Sequence, residues 1–427
     1  MKVLLVSHTV LSKTSNMGKT LLRYFQAFQA DEIAQFYIHS EVPTDDSICT
    51  NYYRFTDKDA LKSIVPLRKH GTIFGKDDIQ LDREFSRTDT GVTGKIYQFG
   101  RKRTGSIYLA RNLVWKCTHW FTKELKQWLT DFNPDVIFFA SGDYAFMYDV
   151  ARKMAEYLNR PLVISCMDDF YVYNANENSV IGRFEYRARM KTVRKTMQRA
   201  SSIFAICDTM AETYAKMFQL PVQVLHTPAE CVKMVPNEKP SQISYIGNLG
   251  CARDQQLIAI GKALMSLNRT EEPKMLDVYS GEKNPEILKN LTEENGIRFH
   301  GQISAEEVLD VMKNSIAVIH TESFEESQKK QVRFSVSTKI AESLVYGPCL
   351  LAYGPEDIAS ISYLKENDVA YVIDDPKDLP KGLAELLEDD ERRTAIVKRA
   401  RILAEKNHNI QTTPLKVRKW LEDIVEQ

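Results

Sequence analysis

The sequence predicts an α/β protein made of two doubly wound domains in tandem. Short apolar runs of buried-strand type alternate with helical stretches along most of the chain. A polar, proline-rich stretch from Pro228 to Pro240 interrupts that alternation. The 427 residues suffice for two domains of ordinary size. We place the first domain at residues 1–229, with a returning tail helix at 411–427, and the second at 230–410.

Composition sets the class. Hydrophobic residues at 43% and charged residues at 27% are those of a soluble globular chain. A net charge of +0 argues against bulk nucleic-acid binding. The 7 cysteines are scattered without C-x-x-C pairs, which reads as reduced thiols and neither a disulfide frame nor a zinc site. The opening M-K-V-L-L-V-S-H has too short an apolar run for a signal peptide and fits a first buried strand. No run reaches transmembrane length. A cytoplasmic protein is expected, with contact at the inner face of a membrane left open.

Val3–Val6 is the first strand, followed by the polar loop Ser7–Asn16 and a helix from about Met17 to Gln29. Gly18-Lys19-Thr20 has the ending of a phosphate-binding P-loop, but the pattern needs a glycine where Lys13 stands. The loop after the first strand of a doubly wound sheet is still a ligand position, so Asn16, Gly18 and Lys19 are expected to face a substrate. Phe36–His39 is a second strand, and residues 45–105 read as polar and irregular. Asp57-Lys58-Asp59 is the only D-x-D in the chain and reads as a solvated turn, as does Arg101-Lys102-Arg103.

Ser106–Leu129 reads as one long helical region whose Trp115, Trp120 and Trp128 are core residues. Asn133-Pro134-Asp135 ends it, and Val136–Ala140 is a buried strand with Gly142-Asp143 at its carboxyl end. Helix Tyr148–Leu158 leads to strand Leu162–Ser165, which ends in Met167-Asp168-Asp169-Phe170-Tyr171. Asp168 and Asp169 at a strand's carboxyl end either do chemistry or cap a turn. Helix Ile181–Ala200 carries Arg183, Arg187, Arg189, Lys191, Arg194, Lys195 and Arg199 beside an apolar stripe of Met190, Val193, Met197 and Ala200. Such a face is either solvated or meets an anionic lipid surface or a phosphate-bearing acceptor. Strand Ile203–Ile206, helix Thr209–Phe218 and strand Val222–Leu225 close the first half.

The second series of strands is Ile243–Ile246, Leu276–Tyr279, Ile297–Phe299, Ala317–Ile319, Cys349–Ala352 and Ala370–Ile373, with an amphipathic tail helix at Leu415–Val425. The most informative stretch is Arg333–Gly354. Ser335, Ser337 and Thr338 are helix-start residues, and Gly347-Pro348 stops the helix before the next strand. A helix start presents free N–H groups and a positive dipole end, which suits phosphate. Lys339 adds a charge in the first turn, and Glu342, three residues on, shares its face. The pair suits a nucleotide diphosphate, with phosphate at the helix tip and a ribose diol on the carboxylate. The ordinary alternative is a capped surface helix with an ion pair.

Taken together, the second half resembles the nucleotide-sugar-binding domain of GT-B glycosyltransferases of family 4. S-Y-I-G-N-L-G (Ser244–Gly250) looks like that domain's opening strand and glycine loop, with Arg253 where the family often has a base facing the diphosphate. I-R-F-H-G-Q-I-S-A-E-E-V (Ile297–Val308) looks like the segment that reads the nucleobase. S-T-K-I-A-E-S-L-V-Y-G-P-C-L-L-A (Ser337–Ala352) looks like the donor motif, with Glu342 as the ribose-binding glutamate. Ser201–Tyr214 is similar to the last strand and helix of the acceptor domain, and Asn133–Phe139 resembles an earlier strand of it. The family motif has two glutamates separated by seven residues, and the first position here is Phe334. Glu322, Glu325 and Glu326 lie further back and cannot substitute without a rearranged backbone. The family's acceptor-domain histidine falls in Met167–Tyr171, where Asp168-Asp169 stands instead.

The resemblance implies the GT-B fold, two Rossmann-like domains facing a cleft. It implies transfer of a sugar from a nucleotide diphosphate-sugar to a cell-surface polysaccharide or lipid-linked acceptor, with retention. Arg253, Lys339 and the N–H groups of Ser337–Lys339 would carry the leaving diphosphate's charge without a metal, and no cofactor is expected. Gly247 and Asn248 would face the donor, Gly301 and Ile303 would flank the base, and Asn16, Gly18 and Lys19 would lie on the acceptor side. The tail helix around Trp420 would pack back across the cleft. Two rivals remain: a non-catalytic, nucleotide-sugar-binding scaffold of the same fold, and a nucleotide-sugar epimerase.

Overall fold

In the computed structural model, residues 1–13, 16–64, 70–81, 104–230, 234–235, 237–267 and 274–427 are described. The chain forms two compact units. One is Met1–Ile206 with Met210–Leu225 and Gln411–Gln427; the other is His226–Ile410 with Cys207–Thr209.

The first half runs β1 (Val3–Ser7), α1 (Asn16–Tyr24), β2 (Ile33–Tyr37), β3 (Asn51–Arg54), α2 (Asp57–Lys62), β4 (Thr72–Phe74), α3 (Gly105–Cys117), α4 (Lys123–Phe132), β5 (Val136–Ala140), α5 (Ala145–Leu158), β6 (Leu162–Cys166), α6 (Val180–Met197), β7 (Ser202–Ala205), α7 (Asp208–Phe218) and β8 (Val222–Val224). Among the described residues these strands make an eight-stranded sheet, ordered β4-β3-β2-β1-β5-β6-β7-β8. Every pairing is parallel except β3 with β4. β1, β5 and β6 are buried along their whole length, which is why they read as unbroken apolar runs. Chain order reverses between β1 and β5, the place where such sheets open a crevice at the carboxyl ends.

Three expectations for this half need correction. Residues 45–105 are not wholly irregular, since they contain β3, α2 and β4. Tyr52 and Tyr53 are both buried, so no polar–apolar alternation marks β3. Asp57-Lys58-Asp59 is a helix start and not a solvated turn. Asp59 completes a capping box with Thr56, and Asp57 pairs with Arg111 at 3.0 Å and accepts the Trp115 indole N–H at 2.7 Å. The single long helix is two, α3 and α4, with Thr122 capping the second. Trp115 stacks on Phe146 of α5 at 4.3 Å, while Trp128 donates to Asn51 of β3. Arg101-Lys102-Arg103 lies outside the described residues.

The second half runs β9 (Gln242–Ile246), α8 (Arg253–Leu267), β10 (Leu276–Tyr279), α9 (Pro285–Leu288), β11 (Ile297–Gly301), α10 (Ala305–Asn314), β12 (Ser315–Thr321), α11 (Glu326–Val332), α12 (Thr338–Tyr346), β13 (Cys349–Tyr353), α13 (Ala359–Glu366), β14 (Tyr371–Ile373), α14 (Leu379–Glu388), α15 (Asp390–Asn407) and α16 (Thr413–Val425). The sheet order is β11-β10-β9-β12-β13-β14, all parallel. This is the Rossmann arrangement, with its reversal between β9 and β12. Each of the six apolar runs expected in this half is a strand. One core cluster lies around Leu257, Leu264 and Leu383, and another around Ile340, Leu344 and Ile361.

Helix α16 belongs to the first unit. Val417 and Leu421 are fully buried in that unit's core, and Trp420 meets Phe204 edge-on at 5.5 Å. Arg418 binds both carboxylate oxygens of Glu32 at 2.8 Å, and the N-terminal ammonium adds a third contact at 2.9 Å. Among the described residues no helix is long and apolar enough to cross a membrane.

Candidate active site

Four strand ends set the stage in the second unit. The N–H of Gly247, just after β9, donates to Tyr279 O at 3.0 Å, and Ser280 N–H donates to Gly301 O at 2.8 Å. The ends of β9, β10 and β11 are thereby held side by side. Gly301 has φ 75° and no atom within 4 Å of where a Cβ would sit, so it lines open space in a conformation that favours glycine. Ile303, half-buried, precedes Ser304, whose side chain caps α10 in a capping box with Glu307. Asn248 is exposed, and its side-chain carbonyl accepts Gly250 N–H, so it shapes the glycine loop. Cys251 and Ala252 are both left-handed, and they turn the chain into α8 with Arg253 as its first residue.

Arg253 reaches across the sheet reversal to the end of β12. Its Nη2 binds both oxygens of Glu322 at 2.8 and 2.9 Å, and its Nε donates to Thr321 O at 3.2 Å. The Glu322 side chain is only 2% exposed. Burial works against the charge on Arg253, but the Glu322 carboxylate outweighs it and holds the guanidinium pKa up. Glu322 is buried directly after a strand because β12 runs on through His320 and Thr321.

Ser337 is the N-cap of α12, and its hydroxyl accepts Lys339 N–H at 3.3 Å. Lys339 and Glu342 face one another at 3.5 Å, with Lys339 43% exposed and Glu342 17%. Thr338 is exposed at the same helix tip. Phe334 is fully buried.

In the first unit, the loop after β1 is ordered by buried Gln35. Its amide donates to Ser7 Oγ at 2.7 Å and Thr9 O at 3.0 Å, and its carbonyl accepts Leu11 N–H at 3.0 Å. Gly18 is where that loop folds onto α1: a Cβ there would lie 2.6 Å from Val10 O. Its lack of a side chain therefore serves this packing. Lys19 is half-buried on α1, whose first residue is Asn16. Asp169 collects the N–H groups of Tyr171, Val172 and Tyr173 at 3.0 Å and the Tyr214 hydroxyl at 2.7 Å. That geometry fits the turn-capping alternative for Asp169. Asp168 is exposed and accepts Asp169 N–H at 3.1 Å.

Sequence reasoning missed a ring cluster at the β1/β5 reversal. His8, after β1, stacks on Tyr144, after β5, at 5.2 Å. Arg111 lies over the Tyr144 ring at 3.9 Å, His39 stands 5.7 Å from His8, and Tyr108 donates to Asp143 at 2.5 Å. A signal was present: the first two strands run directly toward a histidine, in V-L-L-V-S-H and Q-F-Y-I-H.

Residues 273–417 match the family model described as Glycosyl transferase-like. The fold is GT-B, and the family match covers the part of the chain from 273 to 417. HepE of Anabaena, solved in complex with UDP, is similar at 12% identity, with 99% of this chain and 100% of that one covered and a TM-score of 0.64. The α,α-trehalose-phosphate synthase of Burkholderia xenovorans is similar at 10% identity, covering 99% and 100%, with a TM-score of 0.63. TarM is similar at 9% identity, covering 100% and 99%, with a TM-score of 0.63. At such identities the likeness establishes the fold, and it does not single out family 4. No curated protein matches this chain in sequence.

Proposed function

We propose that this protein transfers a sugar from a nucleotide diphosphate-sugar to a cell-surface polysaccharide or lipid-linked acceptor, with retention and without a metal ion. One observation carries the reading. The Ser337-capped tip of α12 presents Lys339 in its first turn and Glu342 on the same face, in a fold shared with proteins solved with UDP and UDP-glucose. Cleavage of the glycosidic bond leaves a diphosphate of growing negative charge. Lys339, the N–H groups of the helix tip and Arg253 stabilise that charge because they are already oriented toward it. Glu342 accepts hydrogen bonds from the ribose diol. Gly247 and Asn248 shape the loop beside the diphosphate, and Gly301 and Ile303 flank the base. Metal independence is supported by these cations and by the D-x-D carboxylates, which Arg111 and the Thr56 capping box engage. Asp168, with Asn16, Gly18 and Lys19, stands on the acceptor side, where the ring cluster of His8 and Tyr144 suits a saccharide.

Contact with an anionic membrane through 181–200 is supported by α6. Val180, Ile181 and Phe184 are 73%, 51% and 63% exposed at its start. Arg187, Lys191, Arg194 and Lys195 follow on exposed positions, while Met190, Val193 and Met197 are buried. Arg189 leaves this face: it is buried and paired with Glu185 at 3.3 Å.

A second reading, a nucleotide-sugar-binding relative that transfers nothing, is favoured by Phe334. It fills with a buried ring the position where the family motif has its first glutamate. Donor hydrolysis separates the two. Slow release of nucleoside diphosphate from a nucleotide-sugar, lost in Glu342→Ala and in Lys339→Ala, supports the transferase. Tight binding without any turnover supports the scaffold. Interconversion of free nucleotide-sugars without acceptor excludes both.

A further inference from the structure

Arg253 begins α8, the helix after β9, and Glu322 directly follows β12, so their contact spans the reversal of the second sheet. A long arginine at a helix start has many rotamers, and a free one would pay for ordering whenever an anion bound. Here its orientation is set from one edge. Nε donates to Thr321 O, and Nη2 is held between the two Glu322 oxygens. Among the described residues, Nη1, at the other edge, makes only a 3.5 Å contact with Gly250 O, on the glycine loop. Glu322 itself cannot swing. Its N–H donates to Tyr353 O, and Gly354 approaches so closely that a Cβ there would lie 3.2 Å from Glu322 Cβ. His320, 3.7 Å from the carboxylate, is buried and bonded to Ser360, and burial lowers its pKa to about 3, so it adds no charge.

We propose that Glu322 is a positioning residue for the donor site: it holds Arg253 so that the Nη1 edge faces the diphosphate over the Gly247–Gly250 loop. This rests on the donor reading above. Glu322 does not touch the ligand, since both of its oxygens are on Arg253 and its side chain is buried. Its effect is therefore confined to the phosphates and passes only through Arg253. A carboxylate that merely held the fold together would alter nucleoside and diphosphate binding alike. A carboxylate that competed with the ligand for Arg253 would raise diphosphate affinity when removed.

The test is a titration of the full chain with UDP and uridine, GDP and guanosine, and ADP and adenosine, in wild type, Glu322→Gln, Arg253→Met and the double variant Arg253→Met/Glu322→Leu. The double variant replaces the buried pair by apolar side chains of similar size, which such sites commonly tolerate, and thermal unfolding checks each fold. For the base that binds wild type, Glu322→Gln should lose roughly tenfold in diphosphate affinity while nucleoside affinity holds. The double variant should bind the diphosphate no more weakly than Arg253→Met alone. An unchanged or higher diphosphate-to-nucleoside ratio in Glu322→Gln, or a further loss in the double variant, overturns the role of Glu322. Failure of wild type to bind any of the three diphosphates overturns the donor reading itself, and this inference with it.

Discussion

His8 and Tyr144 stack at 5.2 Å with their planes 19° apart, one ring from the end of β1 and the other from the end of β5. They meet where the first sheet reverses direction, and Arg111 covers the tyrosine at 3.9 Å. A ring cluster fixed in this way, with a cation over it, suits a saccharide in the proposed function. Tyr144→Ala should raise the acceptor KM roughly five- to tenfold, the size of one lost ring contact, and leave nucleoside diphosphate affinity unchanged. Acceptor kinetics at saturating donor check this; an equal loss of nucleotide binding would contradict it.

Lys339 meets the leaving group in the proposed mechanism, and Glu342 meets the ribose. Lys339→Ala should weaken nucleoside diphosphate binding roughly ten- to a hundredfold, as expected for a lost charged hydrogen bond, and leave the free nucleoside nearly unaffected. Glu342→Ala should weaken nucleoside and diphosphate equally. Calorimetric titration of both ligands separates the two patterns, and identical patterns would contradict the assignment.

Installing the family's glutamate by Phe334→Glu should not improve the protein. Phe334 is fully buried, so the change loses a ring's packing and places a carboxylate in apolar surroundings. Stability should fall by about 3–5 kcal/mol in denaturant titration. A variant of undiminished stability and higher activity would show that this position can turn toward a ligand.

The tail helix should be acid-sensitive. The hydrogen bonds from Arg418 to Glu32, aided by Gln29 N–H and the N-terminal ammonium, hold the Glu32 carboxyl down from 4.5 to about 2, against the opposing effect of burial. A depressed carboxyl contributes its stability above its unfolded pKa and loses it as pH falls toward the folded value. The loss should therefore span pH 4.5 to about 2. Glu32→Gln should cost about 2 kcal/mol at neutral pH and flatten the unfolding profile across that window. Tryptophan emission reads out the first unit, which holds all 4 tryptophans, among them Trp420 on Phe204.

Helix α6 should bind anionic vesicles. Reversing Arg187, Lys191 and Arg194 to glutamate should abolish co-flotation with vesicles rich in phosphatidylglycerol, since each cation contributes about 1 kcal/mol at such a surface. Phe184→Ser alone should weaken it, and neutral phosphatidylcholine vesicles should bind neither wild type nor any variant. Equal flotation of wild type and the triple variant would contradict the assignment.

The strands of the second unit and the helix start at Ser337 are written in local patterns. Buried parallel strands are continuous apolar runs, and a capped helix start with Lys339 and Glu342 on one face is set by neighbours a turn apart. These are local relations, legible without a fold. The first unit was less legible between 45 and 129. There β3 has two buried tyrosines in a row, and Trp115 and Trp128, on separate helices, anchor to partners distant in the chain. Only the tertiary structure decided that Arg253 is held by Glu322, that Asp169 caps its own loop, and that His8 meets Tyr144. The partners in the first and last of these pairs stand 69 and 136 positions apart in the chain. In each case a parallel crossover brings strand ends together that the chain order separates, and no periodicity in the sequence records which ends will be neighbours.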